Sequence, residues 1–336
     1  MPARCFVNSM AQVSCRQPLS DEWFDNPCAL TAAYTRAQEP DTKGLIVPSE
    51  ARRMSKILKR AVATSITALN NSCVEQPDAI ITGTGMGCME NSEKFLVDMC
   101  RYGENCLKPS LFMQSTHNTI SSLIAIILKC HGYNNTYSHK GISFESALLD
   151  AFVQIKNGNI GNALVGAHDE VTPFMALVMK RTHPEYTNIT ETSVSAILSS
   201  TETDSNICEI TDVNLFHNPE PEFLAGILNK TDDSLLLLGV NGNQLNDTPY
   251  MSLLEKLSYS PSTLRYKNIF GDNFSSPALA FYAAATILKQ QKIPAPLYCD
   301  TSKNYTGKID NITILNHCDN TAWSLIRLKK LDLCGS

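Results

Sequence analysis

The hydrophobic and polar positions of this 336-residue chain switch between two periods. Short apolar or alternating runs predict strands, and apolar positions three and four apart predict helices. The strand pattern falls on residues 5–7, 79–82, 135–138, 163–166, 191–198, 209–216 and 235–238. A closing hairpin is predicted from 312–315 and 324–328 around a turn. The helix pattern falls on 48–70, 90–101, 115–130, 219–229 and 276–290. In the first of these, Ser49 is the expected cap, and Met54, Ile57, Leu58, Ala61 and Ile66 form the buried face. A further helix opens at Ser143 as its cap. It carries Phe144, Ala147, Leu148, Ala151 and Ile155 on one face and ends at Gly158.

Residues 17–43 contain Pro18, Pro27 and Pro40 and read as an irregular excursion. The stretch from Glu170 to Pro184 reads as a short connection, and Gly239 to Asn243 as a turn. The helices at 115–130 and 276–290 are apolar almost all round, the pattern of a buried central helix. One stands in each half, which predicts an α/β protein of two similar halves packed face to face.

Composition adds bounds rather than chemistry. Hydrophobic residues make up 43% and charged residues 18%, and the net charge is −5, a soluble globular profile without a basic stripe. A nucleic-acid partner is therefore not expected. The twelve cysteines (Cys5, Cys15, Cys28, Cys73, Cys88, Cys100, Cys106, Cys130, Cys208, Cys299, Cys318 and Cys334) contain no CxxC pair. In a chain this long they read as small buried hydrophobes in a reducing compartment, without the ligand spacing of a zinc site. No signal-peptide pattern opens the chain, and no apolar run is long enough to span a bilayer. The expected location is the cytoplasm, where the Asn-x-Ser/Thr triplets at Asn188 and Asn311 are chance matches.

The chemistry-bearing stretch runs from Tyr133 to Glu170: strand, sharp turn, helix, strand. Such an elbow often presents a nucleophile, and the helix N-terminus lowers a thiol's pKa. Here the elbow carries Gly141, which has no side chain and supplies backbone freedom for the turn. The run Thr82-Gly83-Thr84-Gly85-Met86-Gly87 has its third glycine too early for a dinucleotide fingerprint. It reads as a turn allowing close backbone packing. His117, near a helix start, reads as a hydrogen-bonded structural histidine.

In these residues the chain resembles the β-ketoacyl synthases of the thiolase-fold superfamily. Arg52-Arg53-Met54, the glycine-rich turn at 82–87, Ser115-Thr116-His117-Asn118 with its following dimer-side helix, Asn162 to Glu170, Asn246-Asp247, Lys267 and Phe270-Gly271 occur in the family's order. The resemblance implies a five-layer αβαβα fold with halves at 1–205 and 206–336. It also implies a cysteine at the elbow that takes an acyl chain from acyl carrier protein, and two histidines that stabilise the enolate and the oxyanion. Carried over by position, the cysteine falls on Gly141, the first histidine on Gly239 and the second on Asp272. The gate loop near the C-terminus is replaced by Asn316-His317-Cys318-Asp319-Asn320.

With all three groups replaced, the resemblance implies a non-catalytic subunit like the chain-length factors. These pair with an active ketosynthase and work with acyl carrier protein, with no cofactor or metal. The segments at 115–120 and 138–145 are similar to a short synthase-like group of aryl-polyene and flexirubin-type pathways. Phe112, Met113, Thr116, Ile120 and Tyr137 are then expected at the acyl tunnel or the dimer contact, the alternative for them being plain core. Two other readings stay open. One is an enzyme with a substituted nucleophile (Ser138, Ser143 or Cys130, with His139 or His117 as base). The other is a homodimeric structural protein without ligand.

Overall fold

A computed structural model describes residues 3–104, 107–231, 234–300 and 305–331. In chain order the elements are β1 (Phe6–Val13), α1 (Glu22–Asp25), α2 (Pro48–Ala51), α3 (Lys56–Asn70), β2 (Ala79–Gly83), α4 (Met89–Tyr102), α5 (Pro109–Met113), α6 (Thr119–Leu128), β3 (Tyr133–Tyr137), α7 (Ser143–Lys156), β4 (Asn162–Asp169) and α8 (Pro173–Thr182). They continue with β5 (Thr192–Ser199), β6 (Cys208–His217), α9 (Pro221–Leu228), β7 (Leu235–Leu238), α10 (Gln244–Leu254), β8 (Ser262–Arg265), α11 (Lys267–Phe270), α12 (Ser276–Gln290), β9 (Asn311–Cys318) and β10 (Ala322–Lys329).

The ten strands lie in the order β3-β2-β4-β5-β1-β6-β10-β9-β7-β8. The second five repeat the first, outward from the middle, with each number raised by five. Directions repeat too. β2 is parallel to β3 and β4, and β5 is antiparallel to β4 and β1. β7 is parallel to β8 and β9, and β10 is antiparallel to β9 and β6. The two sets are joined where Phe6 and Val7 pair with Glu209 and Cys208.

Strand alternation builds the layers, because successive side chains point to opposite faces. Ile81 and Val165 face one cluster while Ile80 and Leu164 face another. Leu235 and Leu237 face the shared cluster, and Leu236 and Leu238 face the opposite side. The shared cluster surrounds α7 and α12, whose Phe144 and Phe281 rings lie 5.5 Å apart. Helices α3 and α6 cover one outer face, and α9 and α10 the other.

The predicted face of α7 is fully buried at all five positions. Gly158 ends it with φ +71°, the left-handed conformation glycine adopts without strain. Ser143 is the first helical residue and not the cap, which is Ile142.

Several expectations need correction. The central pair is α7 and α12. The helix predicted at 115–130 is the shorter α6, on an outer face with Ile126 exposed. The helix predicted at 48–70 breaks between Ala51 and Lys56, with Val47 and not Ser49 at the first cap. Helix α8 occupies the stretch read as a connection, whereas 239–243 is non-helical as expected and α10 begins after it, over residues given no element from the sequence. Among the described residues all ten cysteines are free, and six are buried; Cys106 and Cys334 lie outside those residues. Among the described residues, no helix is long and apolar enough to cross a membrane.

One buried carboxylate ties these layers at a corner. Asp169, at the end of β4, accepts the backbone N–H groups of Gly85 (3.0 Å), Met86 (2.8 Å) and Gly87 (3.3 Å). It also accepts the hydroxyls of Thr84 (2.7 Å) and Ser275 (2.6 Å). Replacing Asp169 by alanine leaves these donors buried without an acceptor. Asp169→Ala is predicted to lower the unfolding free energy by about 3 kcal/mol or more in chemical denaturation, and Asp169→Asn by less. An alanine variant as stable as the parent would remove this corner from the account of the fold.

Candidate functional site

The elbow follows β3. Its left-handed residue is Lys140, with φ +47°, and Gly141 does not need a positive φ. The expectation that glycine serves the turn through its backbone freedom is therefore corrected. Space is what the glycine supplies. A Cβ at 141 would sit 3.3 Å from both Cβ and Sγ of Cys318 and 3.7 Å from the Tyr186 hydroxyl. The volume beside the elbow is thus filled by a thiol reaching across from the end of β9. Burial pushes that thiol up to about 11 and the adjacent Asp319 adds to the rise, while the Gly141 N–H and Lys140 oppose it.

Gly239, the residue after β7, is packed more tightly. A Cβ there would overlap the Tyr250 hydroxyl and lie 2.8 Å from Asn316 Oδ1. Asn316 also joins this position to the elbow. Its Nδ2 donates to the Gly141 carbonyl (3.1 Å) and to Glu145 Oε1 (2.9 Å). Ser324 donates to the same Glu145 oxygen (2.9 Å). Glu145 is fully buried, and burial raises its carboxyl to about 7 against these donors.

Asp272 follows Phe270-Gly271. Its Oδ1 lies 2.9 Å from Lys267 Nζ, and its Oδ2 accepts from Asn241 Nδ2 at 2.7 Å. Gly271 needs to be glycine, since its φ is +76° and a Cβ would overlap the Thr190 side chain. Lys267 Nζ also stands 5.8 Å from the Tyr186 ring centre. Gly141, Gly239 and Asp272, far apart in sequence, therefore converge on one buried cluster through Asn316, Asn241, Tyr186 and Lys267.

The His317 imidazole is not free for proton transfer. His317 Nε2 donates to the Asn246 carbonyl (2.8 Å), and its Nδ1 accepts from the Asn320 N–H (3.3 Å). Burial lowers its pKa to about 4, so it is neutral near pH 7. A cavity of about 560 Å³ lined by Asp21, Asp204, Tyr282, Lys289 and Lys330 lies elsewhere, away from this cluster.

The substituted-nucleophile candidates are scattered and occupied. Ser143 Oγ donates to the Lys140 carbonyl (2.7 Å) and accepts the His139 N–H (2.7 Å). Cys130 Sγ donates to the Pro77 carbonyl (3.1 Å), beyond α6. His139 Nδ1 contacts Ser146 and neither Ser138 nor Ser143. Ser138 and His117 are exposed. Of the tunnel or dimer candidates, Phe112, Met113 and Thr116 are exposed, and Ile120 is core. Tyr137 donates to Asp150 (3.1 Å), which also accepts from Tyr133. Residues not singled out from the sequence are Glu145, Tyr186 and Tyr250. The sequence signal for Glu145 was a carboxylate among the apolar positions of α7.

The family profile described as β-ketoacyl synthase, N-terminal domain, matches residues 22–215, more than half of the chain. The chain belongs to the β-ketoacyl synthase family. No curated protein sequence matches it. Among solved structures, the ishigamide ketosynthase/chain length factor has a TM-score of 0.81 at 16% identity, covering 98% of this chain and 100% of that one. A type II polyketide ketosynthase, bound to its hexaketide and in complex with acyl-carrier protein, gives 0.79 at 12% identity over the same shares. A β-ketoacyl synthase from Burkholderia phymatum gives 0.77 at 11% identity, again over 98% and 100%. The thiolase-like ketosynthase fold expected from the sequence is thereby borne out.

Two predictions follow from the packing. Gly239→Ala places a methyl group against Tyr250 and Asn316 and should cost about 1–3 kcal/mol of stability, more than Gly141→Ala, whose neighbours stand farther off. Paired denaturation curves check the order. The second concerns pH. The folded pKa of Glu145 is raised, so its share of stability is greatest below about 4.5 and is lost as pH rises towards 7. The loss amounts to about 3 kcal/mol, at about 1.4 kcal/mol per unit of pKa shift. Stability measured from pH 4.5 to 8 should fall in the parent relative to Glu145→Gln across that window. Parallel curves would sink the assignment.

Proposed function

We propose that this chain is a non-catalytic, chain-length-factor-like subunit of a ketosynthase pair. It would work with acyl carrier protein in fatty-acid or polyketide, and specifically polyene, synthesis in the cytoplasm. The carrying observation is the packing at Gly239. The room a histidine would need is taken by the Tyr250 hydroxyl and Asn316. At the other two family positions stand a glycine against Cys318 and an aspartate paired with Lys267. Without a thiolate, and with the His317 imidazole neutral and bonded at both nitrogens, these positions offer no agent for thioester attack or enolate stabilisation.

The partner surface in this reading is the edge of β3 with α4, α5 and α6. Strand β3 is an outer strand of the sheet, with backbone groups open to pairing. Phe112 (58% exposed), Met113 (70%) and Ile126 (73%) lie on the neighbouring helices. Apolar exposure of this kind is characteristic of a face that another chain covers. The two halves of the subunit divide near residue 205, in the connection between β5 and β6.

A second reading, an acyltransferase with a substituted nucleophile, rests on one observation: the Cys318 sulfur occupies the volume beside the elbow. A thiol raised to about 11 opposes it, because the thiolate is the nucleophile.

Intact-mass spectrometry separates the two. The chain is incubated with acyl- and malonyl-carrier protein, alone and with a candidate ketosynthase. The expected result is no adduct on this chain, an adduct on the ketosynthase, and extended product only when both are present. An acyl adduct on this chain alone, mapped to Cys318, would overturn the non-catalytic reading.

A further inference from the structure

Above the elbow, His183, Glu185 and Asp319 bring one imidazole nitrogen and two carboxylate oxygens within 4.8 Å of one another. We propose that these three side chains bind a divalent transition-metal ion that closes the elbow from outside. The inference does not depend on the chain's pairing with a ketosynthase.

The set has the chemistry and most of the geometry of a metal site. Ligands about 2.0 Å from a tetrahedral zinc ion stand about 3.3 Å apart. His183 Nδ1 and Glu185 Oε1 are already 3.0 Å apart. Asp319 stands at the exposed turn between β9 and β10, with its carboxylate oxygen within 4.8 Å of the other two ligand atoms. One imidazole with two carboxylates suits zinc, manganese or ferrous iron, whereas magnesium and calcium favour all-oxygen sites.

In the metal-free chain His183 Nδ1 and Glu185 Oε1 are hydrogen-bonded to each other, a contact that the ion would replace. The segment at 183–187 is held by its backbone: the Pro184 carbonyl accepts from Asn243 (2.8 Å) and the Glu185 carbonyl from Asn241 (2.7 Å). The His183 ring is fixed by stacking on Tyr186 (5.5 Å) and by the edge of Phe274 (5.6 Å). That packing orients Nδ1 in advance, as outer partners do around metal ligands. His183 and Glu185 are half-buried, so water can reach the remaining coordination positions. The competing cation is Lys140, whose Nζ lies 3.4 Å from Asp319 Oδ2 and is largely exposed.

The consequence is a staple between halves. His183 and Glu185 follow α8, and Asp319 follows β9. Between them lie Tyr186, Cys318 and Gly141, so a bound ion holds the two segments shut over the elbow.

The test is calorimetric titration of the metal-stripped full chain with zinc chloride, alongside thermal unfolding. The expected result is one equivalent bound per chain with a rise in Tm. His183→Ala and Asp319→Asn each weaken binding by at least about tenfold, while Lys140→Met, which removes the competing ammonium, tightens it. Lys140 and Asp319 are exposed, whereas His183 packs on Tyr186 and Phe274, so folding of each variant is checked by its metal-free unfolding curve. No saturable binding overturns the proposal. So does zinc that binds the parent, His183→Ala and Asp319→Asn equally, which would place it on surface thiols such as Cys28, Cys73 and Cys100.

Discussion

The Asp169 carboxylate is the constraint on which the rest of the architecture depends. A glycine-rich turn after a strand presents several N–H groups to one point, the arrangement that elsewhere binds phosphate. In this chain the anion is internal. Gly85, Met86 and Gly87 converge on Asp169, so the turn has no donors left for a nucleotide. Gly83 and Gly85 let the backbone approach Ser143 and Phe274 where a Cβ would overlap them. The same carboxylate accepts from Ser275, just before α12. One charge therefore sets the register of β2, β4 and the helix arriving from the other half. Burial pushes its carboxyl up even against these donors, so the corner is costly to assemble and unforgiving of a missing partner.

A second polar clamp holds what the apolar layers cannot. The irregular stretch between β1 and α2 has few helix or strand bonds of its own. Arg60, only 2% exposed, pairs with Glu39 (2.7 Å) on that stretch and with Glu191 (3.2 Å) beside β5. Glu191 also accepts the N–H of Ala37 (2.8 Å). Trp23 and Phe24 add an apolar anchor against Phe270. Regular elements are thus fixed by layer packing, and the connections between them by buried ions whose partners come from distant parts of the sequence.

This division explains what could be read in advance. Strands and the face of α7 were legible because periodicity is local: Phe144, Ala147, Leu148, Ala151 and Ile155 needed no knowledge of their partners. The centrality of α7 was not legible. Ser143, Glu145 and Ser146 make it look half-solvated, yet inside the core Asn316 and Ser324 donate to Glu145 Oε1 and Ser146 donates to the Ile142 carbonyl, while Glu145 Oε2 is buried without a hydrogen bond among the described residues. Helix α6 misled in the opposite sense, being apolar all round on an outer face. Helices α8 and α10 were hidden by prolines: Pro173 sits at a helix start, where its missing N–H costs nothing, and Pro249 sits inside a helix that forms regardless. The family's ordered motifs singled out Gly141, Gly239 and Asp272, which the fold brings near one another. What fills the space around them came from Tyr186, Tyr250 and Cys318, which carry no local signal.

The filling of that space bears on how such a site changes. At Gly141 the neighbouring volume belongs to Cys318, from the opposite half. At Gly239 it belongs to Tyr250 and Asn316, and at Asp272 the partner is Lys267. Each position is matched by a residue outside its own motif, and Asn316 touches two of the three positions. A single replacement that placed a larger side chain at 239 would meet Tyr250 and Asn316. The packing is therefore consistent as a set: the glycines and their neighbours fit one another, and a larger side chain at either glycine could be accommodated only with several of them moving together.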